Sequence, residues 1–301
     1  MHAPILVTGS AGLVGRALTR ALRGLGRTVL FFDIAAPPGP DRGDVRDDQA
    51  VARAIAGCVG VVHLAAVSRV VWGERAPELC RATNEGGTRN VVAAALAAEP
   101  RPWLLFASSR EVYGQADALP VREDAPLRPV NTYGRTKCMG ENLLHDARSA
   151  GLATSVVRLS NVYGCPLDHQ DRVVPAFVRA ALQGDAPRVE GADHTFDFTH
   201  VDDTVRGLLA TIAALDAGVR DLPALHLLTG APTTLGELAR ISLDLAGAAV
   251  TPLLAPPRAY DVARFVGDPR LARAVLGWQA EISIHAGLSR LLTAMRAQLM
   301  P

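Results

Sequence analysis

Short apolar runs alternate, through the first half of this 301-residue chain, with longer stretches whose apolar residues return every three or four positions. The runs at 4–8, 28–33, 60–65, 102–107 and 154–159 predict buried strands, since they are brief and bounded by turn-forming residues. Helical spacing predicts helices near 13–25, 48–57, 76–98 and 131–150; in the first, Leu13, Ala17, Leu18, Ala21 and Leu22 share one face. Strand and helix in alternation imply parallel strands joined by right-handed crossovers, an α/β doubly wound sheet. After Gly164 the rhythm changes: Pro166, Pro175, Pro187, Pro223, Pro232, Pro252, Pro256 and Pro257 punctuate shorter elements. The chain therefore divides near residue 164, into 1–164 and a smaller region, 165–301.

Composition narrows the class. The formal net charge is +1, so no basic field points to nucleic acid. The apolar share is 49%, yet no stretch approaches the ~18 uninterrupted apolar residues of a membrane span. The first residues enter a strand directly, without the basic segment and apolar core of a signal peptide. Cys58, Cys80, Cys138 and Cys165 are widely spaced with no Cys-x-x-Cys, which indicates neither a disulfide framework nor a metal site. A soluble protein of a reducing, cytoplasmic compartment is expected.

Two motifs carry chemistry. The first strand runs into Gly9-Ser-Ala-Gly12-Leu13-Val14-Gly15 and then into the first helix. Glycines at such a turn permit unusual backbone angles and close approach of a pyrophosphate to a helix N-terminus. The second strand ends in Asp33, eighteen residues after Gly15. A carboxylate there accepts ribose hydroxyls and repels a 2′-phosphate, so the pattern predicts NAD rather than NADP. The second motif is Tyr133-Gly-Arg-Thr-Lys137, whose two functional side chains project from one helix face. A free tyrosine titrates near pH ~10, and activity near neutrality needs a shift of about three units, roughly 4 kcal/mol. An adjacent lysine would favour the phenolate, and Lys137 is expected to depress the Tyr133 pKa.

With these motifs in order, the chain resembles the extended short-chain dehydrogenase/reductases, specifically the NAD-dependent epimerase/dehydratase group acting on nucleotide sugars. The resemblance rests further on Gly43-Asp44-Val45-Arg-Asp47, His63-Leu64-Ala65-Ala66, Asn84, Ser108-Ser109-Arg110-Glu111-Val-Tyr-Gly114, Arg158-Leu-Ser-Asn161-Val-Tyr-Gly164, His200-Val-Asp-Asp203 and Leu276-Gly-Trp278. It implies a Rossmann-type NAD-binding domain over 1–164. Residues 165–301 would form mainly the substrate-binding region, with some segments returning to the main sheet, and the protein would be a homodimer. Cofactor contacts are expected at Gly9, Gly12, Leu13, Val14, Gly15, Asp33, Asp44, Val45, Leu64, Ala65, Ala66, Asn84, Tyr133 and Lys137. Asp44 would lie by the adenine, unless it belongs instead to the N-terminal cap of the helix that follows. Asn84 would be a structural or cofactor contact near the Tyr133 helix, and His63 is read as a core histidine.

The resemblance also places Ser109, Tyr133 and Lys137 at the chemistry, with Ser109 donating to the sugar oxygen being oxidised. Dehydratases of the dTDP-glucose type carry Asp then Glu after that serine; here the pair is Arg110 and Glu111. Arginine cannot donate a proton at ordinary pH. The primary expectation is therefore C4 epimerisation through a transient 4-keto sugar. Dehydration or decarboxylation using Glu111, or net dehydrogenase chemistry, are the alternatives. Arg110, Asn161 and Arg258 are the expected substrate contacts. One departure stands out: Phe196 occupies the place where relatives carry an arginine before Asp-Phe.

Overall fold

The computed structural model describes residues 3–258 and 262–299. In chain order the elements are β1 (Ile5–Thr8), α1 (Leu13–Gly24), β2 (Val29–Phe32), α2 (Asp48–Ile55), β3 (Gly60–His63), α3 (Val70–Arg75) and α4 (Pro77–Arg81). A π-helical turn at Ala82–Gly86 leads into α5 (Gly87–Ala97), β4 (Trp103–Ser109), a 3₁₀ turn at Arg110–Val112, α6 (Thr132–Ser149), β5 (Thr154–Leu159) and β6 (Asn161–Tyr163). There follow α7 (Val173–Gln183), β7 (Arg188–Glu190), β8 (Thr195–His200), α8 (Val201–Asp216), β9 (Leu225–Leu227) and β10 (Pro232–Thr234). The chain ends with α9 (Leu235–Ala246), β11 (Leu253–Ala255), α10 (Arg270–Leu276) and α11 (Ile284–Leu299).

Six strands form one parallel sheet in the order β2-β1-β3-β4-β5-β9, with Ile5 opposite both Val29 and Gly60. This is the doubly wound, Rossmann-type sheet that the alternation predicts. Successive strand residues point to opposite faces. Ile5, Val7, Val62, Leu105 and Val157 pack under α1 and α8, whereas Leu6, Val61, Leu104, Phe106 and Val156 pack under α2, α5 and α6. Both faces are covered, so the strands are mainly apolar, with polar residues gathered largely at their carboxyl ends.

Later segments do not stay apart from this sheet. The strand β9 is its sixth member, and Val201, Val205, Leu208 and Ile212 of α8 complete its core. A second cluster surrounds β6, β8 and β10 with α7, α9 and α11, and includes Tyr113, Phe177, Phe196, Phe198 and Phe265. The predicted helix over 76–98 is three pieces. Pro77 starts α4, and the π-helical turn lets Asn84 point inward, where its side chain meets Val67 and Thr136. Among the described residues, no helix is long and apolar enough to cross a membrane. Four cysteines are free, and no group of ligating side chains among the described residues could hold a metal ion.

Candidate active site

A cleft of about 770 Å³ opens at the carboxyl ends of the parallel strands, where open α/β sheets place their ligands. Its floor is the glycine turn. Gly9 has φ +69°, and a Cβ there would lie 2.7 Å from the Ala65 nitrogen. At Gly15 a Cβ would lie 2.2 Å from the Gly9 carbonyl oxygen. Side chains at these two positions would fill the cradle. Gly12 precedes helix α1 at its N-cap and gives no side-chain cap, and the first turn holds no acid, leaving its N–H groups for an anion. Asp33 holds the same turn in place: Oδ2 accepts from Ala11 N at 2.8 Å and Oδ1 from Ala35 N at 2.8 Å. Leu13, Val14, Val45, Leu64, Ala65 and Ala66 line the cleft around it. These features fit a dinucleotide.

Two expected cofactor contacts are used elsewhere. The Asp44 side chain is bound by the Arg46 guanidinium, which holds its carboxyl below the usual range, and it does not line the cleft. Asp47, not Asp44, caps α2 by accepting from Ala50 N at 2.9 Å. The Asn84 amide is spent within the protein: Oδ1 accepts from Val67 N at 2.8 Å and Nδ2 donates to Thr136 Oγ1 at 2.9 Å. Thr136 in turn donates to the Tyr133 carbonyl at 2.8 Å. Asn84 is thus a structural tie beneath Tyr133. His63 is also structural. Thr88 gives its proton to the Asn84 carbonyl, so it accepts from His63 Nε2 at 3.0 Å, and His63 Nδ1 accepts from Thr8 Oγ1 at 2.7 Å. Thr8 Oγ1 then accepts from Ala65 N, which fixes the 64–66 backbone over the glycine turn.

The reacting end lies where the 3₁₀ turn after β4 meets α6. Asn131 caps α6, its Oδ1 accepting from Gly134 N at 2.8 Å, while its Nδ2 donates to Glu111 Oε2 at 2.7 Å. A Cβ on Gly134 would come within 2.5 Å of the Glu111 carbonyl oxygen, so only glycine lets the helix sit this close. That contact brings Tyr133 beside Ser109, whose side chain favours the ionised phenol. Lys137 Nζ lies 4.7 Å over the Phe106 ring and donates to the Ala107 carbonyl at 2.8 Å.

Electrostatics here depart from expectation. Burial pushes Tyr133 up to about 12, with the Ser109 hydrogen bond opposing it. Burial pushes Lys137 down to about 8. Lys137 is not among the leading influences on the tyrosine: its ammonium donates to a carbonyl and lies 5.8 Å from the Tyr133 ring centre. At pH 7.5 ionising a phenol at about 12 costs roughly 6 kcal/mol. The buried Tyr133 phenol is therefore held in its protonated form near neutral pH.

Opposite this end, the wall comes from later segments. Arg110 is buried; its Nη2 lies 2.8 Å from Glu111 Oε1 and its Nε 3.4 Å from Asn161 Oδ1. Its guanidinium lies 4.4 Å over the Phe196 ring, so the aromatic residue at the arginine position supports a cation supplied by the turn after β4. Arg258 lies 3.7 Å from Glu190 at the far end of the cleft. The rest of its motif, Ala259-Tyr260-Asp261, lies outside the described residues. Arg69, Trp72, Asp168, His169 and Arg172 also line the cleft and were not foreseen. They stand in irregular segments and short helices with no motif of their own, and only the meeting of two loops makes them neighbours.

Comparison with known proteins agrees with this arrangement. The profile of the NAD dependent epimerase/dehydratase family matches residues 5–222. The chain is 29% identical over 311 residues to the UDP-glucose 4-epimerase of Mycolicibacterium smegmatis, covering 97% of this chain and 98% of that one. The structure of MoeE5 in complex with UDP-glucuronic acid and NAD is similar with a TM-score of 0.87 at 30% identity, over 98% of this chain and 99% of MoeE5. The dTDP-glucose 4,6-dehydratase DesIV of Streptomyces venezuelae, with NAD and TYD bound, gives a TM-score of 0.88 at 27% identity, over 98% and 97%. The chain belongs to the NAD-dependent epimerase/dehydratase family. It is an enzyme, and its cofactor is NAD.

Proposed function

We propose that the enzyme is a nucleotide-sugar 4-epimerase. The observation that carries this reading is the state of Glu111. Both of its oxygens are engaged, one by Arg110 at 2.8 Å and the other by Asn131 at 2.7 Å. A dehydratase or decarboxylase needs a carboxylate there that is free to act on the sugar; this one orients an arginine and a helix cap. Bound NAD supplies a reversible hydride acceptor and brings positive charge into the cleft. Gly9, Gly12, Leu13, Val14 and Gly15 would cradle its pyrophosphate, Asp33 would accept from its adenosine ribose, and Lys137 would hold its nicotinamide ribose. Ser109 donates to the sugar oxygen, and Tyr133 takes the C4 hydroxyl proton and returns it to the keto oxygen after the sugar turns over. Asn161, at the end of 1–164, and Arg258, from 165–301, hold the nucleotide sugar. The cytoplasm and a homodimer are the proposed setting.

The test is direct. NMR of the reaction on UDP-sugars should show the C4 epimer, with no solvent deuterium at carbon in heavy water. Tyr133→Phe should lower turnover ~10²–10⁴-fold. Glu111→Gln, shown by thermal melting to be folded, should keep most of it. Loss of turnover in Glu111→Gln together with deuterium at C5 would replace epimerisation by dehydration.

A further inference from the structure

Arg110 presents a problem that the proposed reaction does not solve. It is a full positive charge with only 9% of its surface exposed, one residue beyond Ser109 and lining the same cleft as Tyr133. Guanidinium carries five N–H donors and needs acceptors for them when buried. Two of its nitrogens are served: Nη2 by Glu111 at 2.8 Å and, at long range, Nε by Asn161 at 3.4 Å. The third, Nη1, is buried without any hydrogen-bond partner. The neighbours do not supply one, because Phe196 lies 4.4 Å beneath the guanidinium and Phe265 5.9 Å away. Nor can the group move freely to find one, since Glu111 is itself fixed by Asn131 and the ring of Phe196 supports the cation.

A buried donor left open is costly unless a ligand completes it. The missing partner must be an acceptor, and beside an aromatic wall of low polarity an anionic oxygen is the best one. Arg110 lies next to the serine and tyrosine, so the acceptor lies on the sugar rather than on the base. We propose that Arg110 recognises a carboxylate on the sugar, making the substrate a nucleoside diphosphate uronic acid. This assignment rests on the nucleotide-sugar reading above. The same guanidinium chemistry would serve a diphosphate, particularly as Phe196 replaces the arginine expected in that region, and the experiment separates the two sources.

Binding is measured by calorimetry on the NAD-loaded enzyme with three probes: UDP, UDP-glucose and UDP-glucuronic acid. The assignment predicts that UDP-glucuronic acid binds about tenfold to a hundredfold more tightly than UDP-glucose. In Arg110→Met that advantage should disappear while UDP binding stays within about twofold. Removing one partner strands the buried Glu111 charge and threatens folding. The double substitution Arg110→Met with Glu111→Gln removes both charges, and thermal melting confirms that it is folded before titration. Arg110→Lys, which keeps the charge but not the fork, should retain only part of the preference. Equal binding of the two sugars by the wild type overturns the assignment and leaves the epimerase reading intact. An equal fall in affinity for all three probes in the variants assigns Arg110 to the diphosphate and also overturns it. Failure of both sugars to bind the wild type overturns the nucleotide-sugar reading beneath it.

Discussion

A histidine at the end of a strand beneath a nucleotide site can be a ligand, a base or a strut, and its hydrogen bonds decide among them. His63 joins Thr8 to Thr88 and is wholly buried, which lowers its pKa to about 3. In the unfolded chain it titrates near ~6.5. The folded protein therefore holds the neutral ring. The stability this contributes is complete above about pH 6.5 and is lost as the pH falls from there toward 3. At pH 5 the loss is about 2 kcal/mol from this residue. His63→Gln keeps one donor and one acceptor without the titration. Urea unfolding at pH 7.5 and pH 5.0 should show a pH-dependent loss about 2 kcal/mol smaller in the variant. Equal losses in the two proteins would mean that His63 is not held neutral.

At the level of elements, Asp33 does two things from the end of β2. It accepts from Ala11 N and so holds the glycine turn against α1, and it presents the same carboxylate to the cleft. Asp33→Ala should lose both. The wild type should prefer NAD over NADP by about tenfold or more, since a 2′-phosphate would meet the carboxylate. In the variant the gap should narrow, and unfolding should become easier by roughly 1–3 kcal/mol through the unpaired Ala11 and Ala35 N–H groups. Calorimetric titration with the two dinucleotides checks the first expectation and chemical denaturation the second. Comparable affinities of the wild type for NAD and NADP would refute the assigned role of Asp33. Helix α6 combines functions in the same way: Asn131 caps it while fixing Glu111, and Thr136 ties it to Asn84. Its catalytic residues are placed by its packing as well as by their spacing.

For the whole molecule, the proposed homodimer has a surface to use. Leu79 on α4 and Met139 on α6 are 47% and 39% exposed on helices that pack together, and a second copy related by a two-fold axis could cover them. Sedimentation at micromolar concentration should show the wild type as a dimer. Leu79→Glu with Met139→Glu should give a folded monomer. A wild type that sediments as a monomer would remove the proposal.

What the sequence determined by itself is what depends on local rules. Periodicity specified strands and helices because side-chain direction repeats every 2 or 3.6 residues, and the parallel sheet followed from their alternation. The glycine turn, Asp33 and the Tyr133–Lys137 spacing were legible because each works within one or two turns of chain. The tertiary structure decided what depends on long-range packing. That β9 belongs to the main sheet is not visible in three residues, Leu225–Leu227. The Tyr133 pKa rises because burial dominates while Lys137 donates to the Ala107 carbonyl, which sequence spacing does not reveal. The cation–aromatic pair of Arg110 and Phe196 joins residues 86 positions apart in the sequence. Asp44 and Asn84 carried the right motifs, but Arg46 and the Val67–Thr136 pair compete for them, and their hydrogen bonds are settled only once the chain has folded.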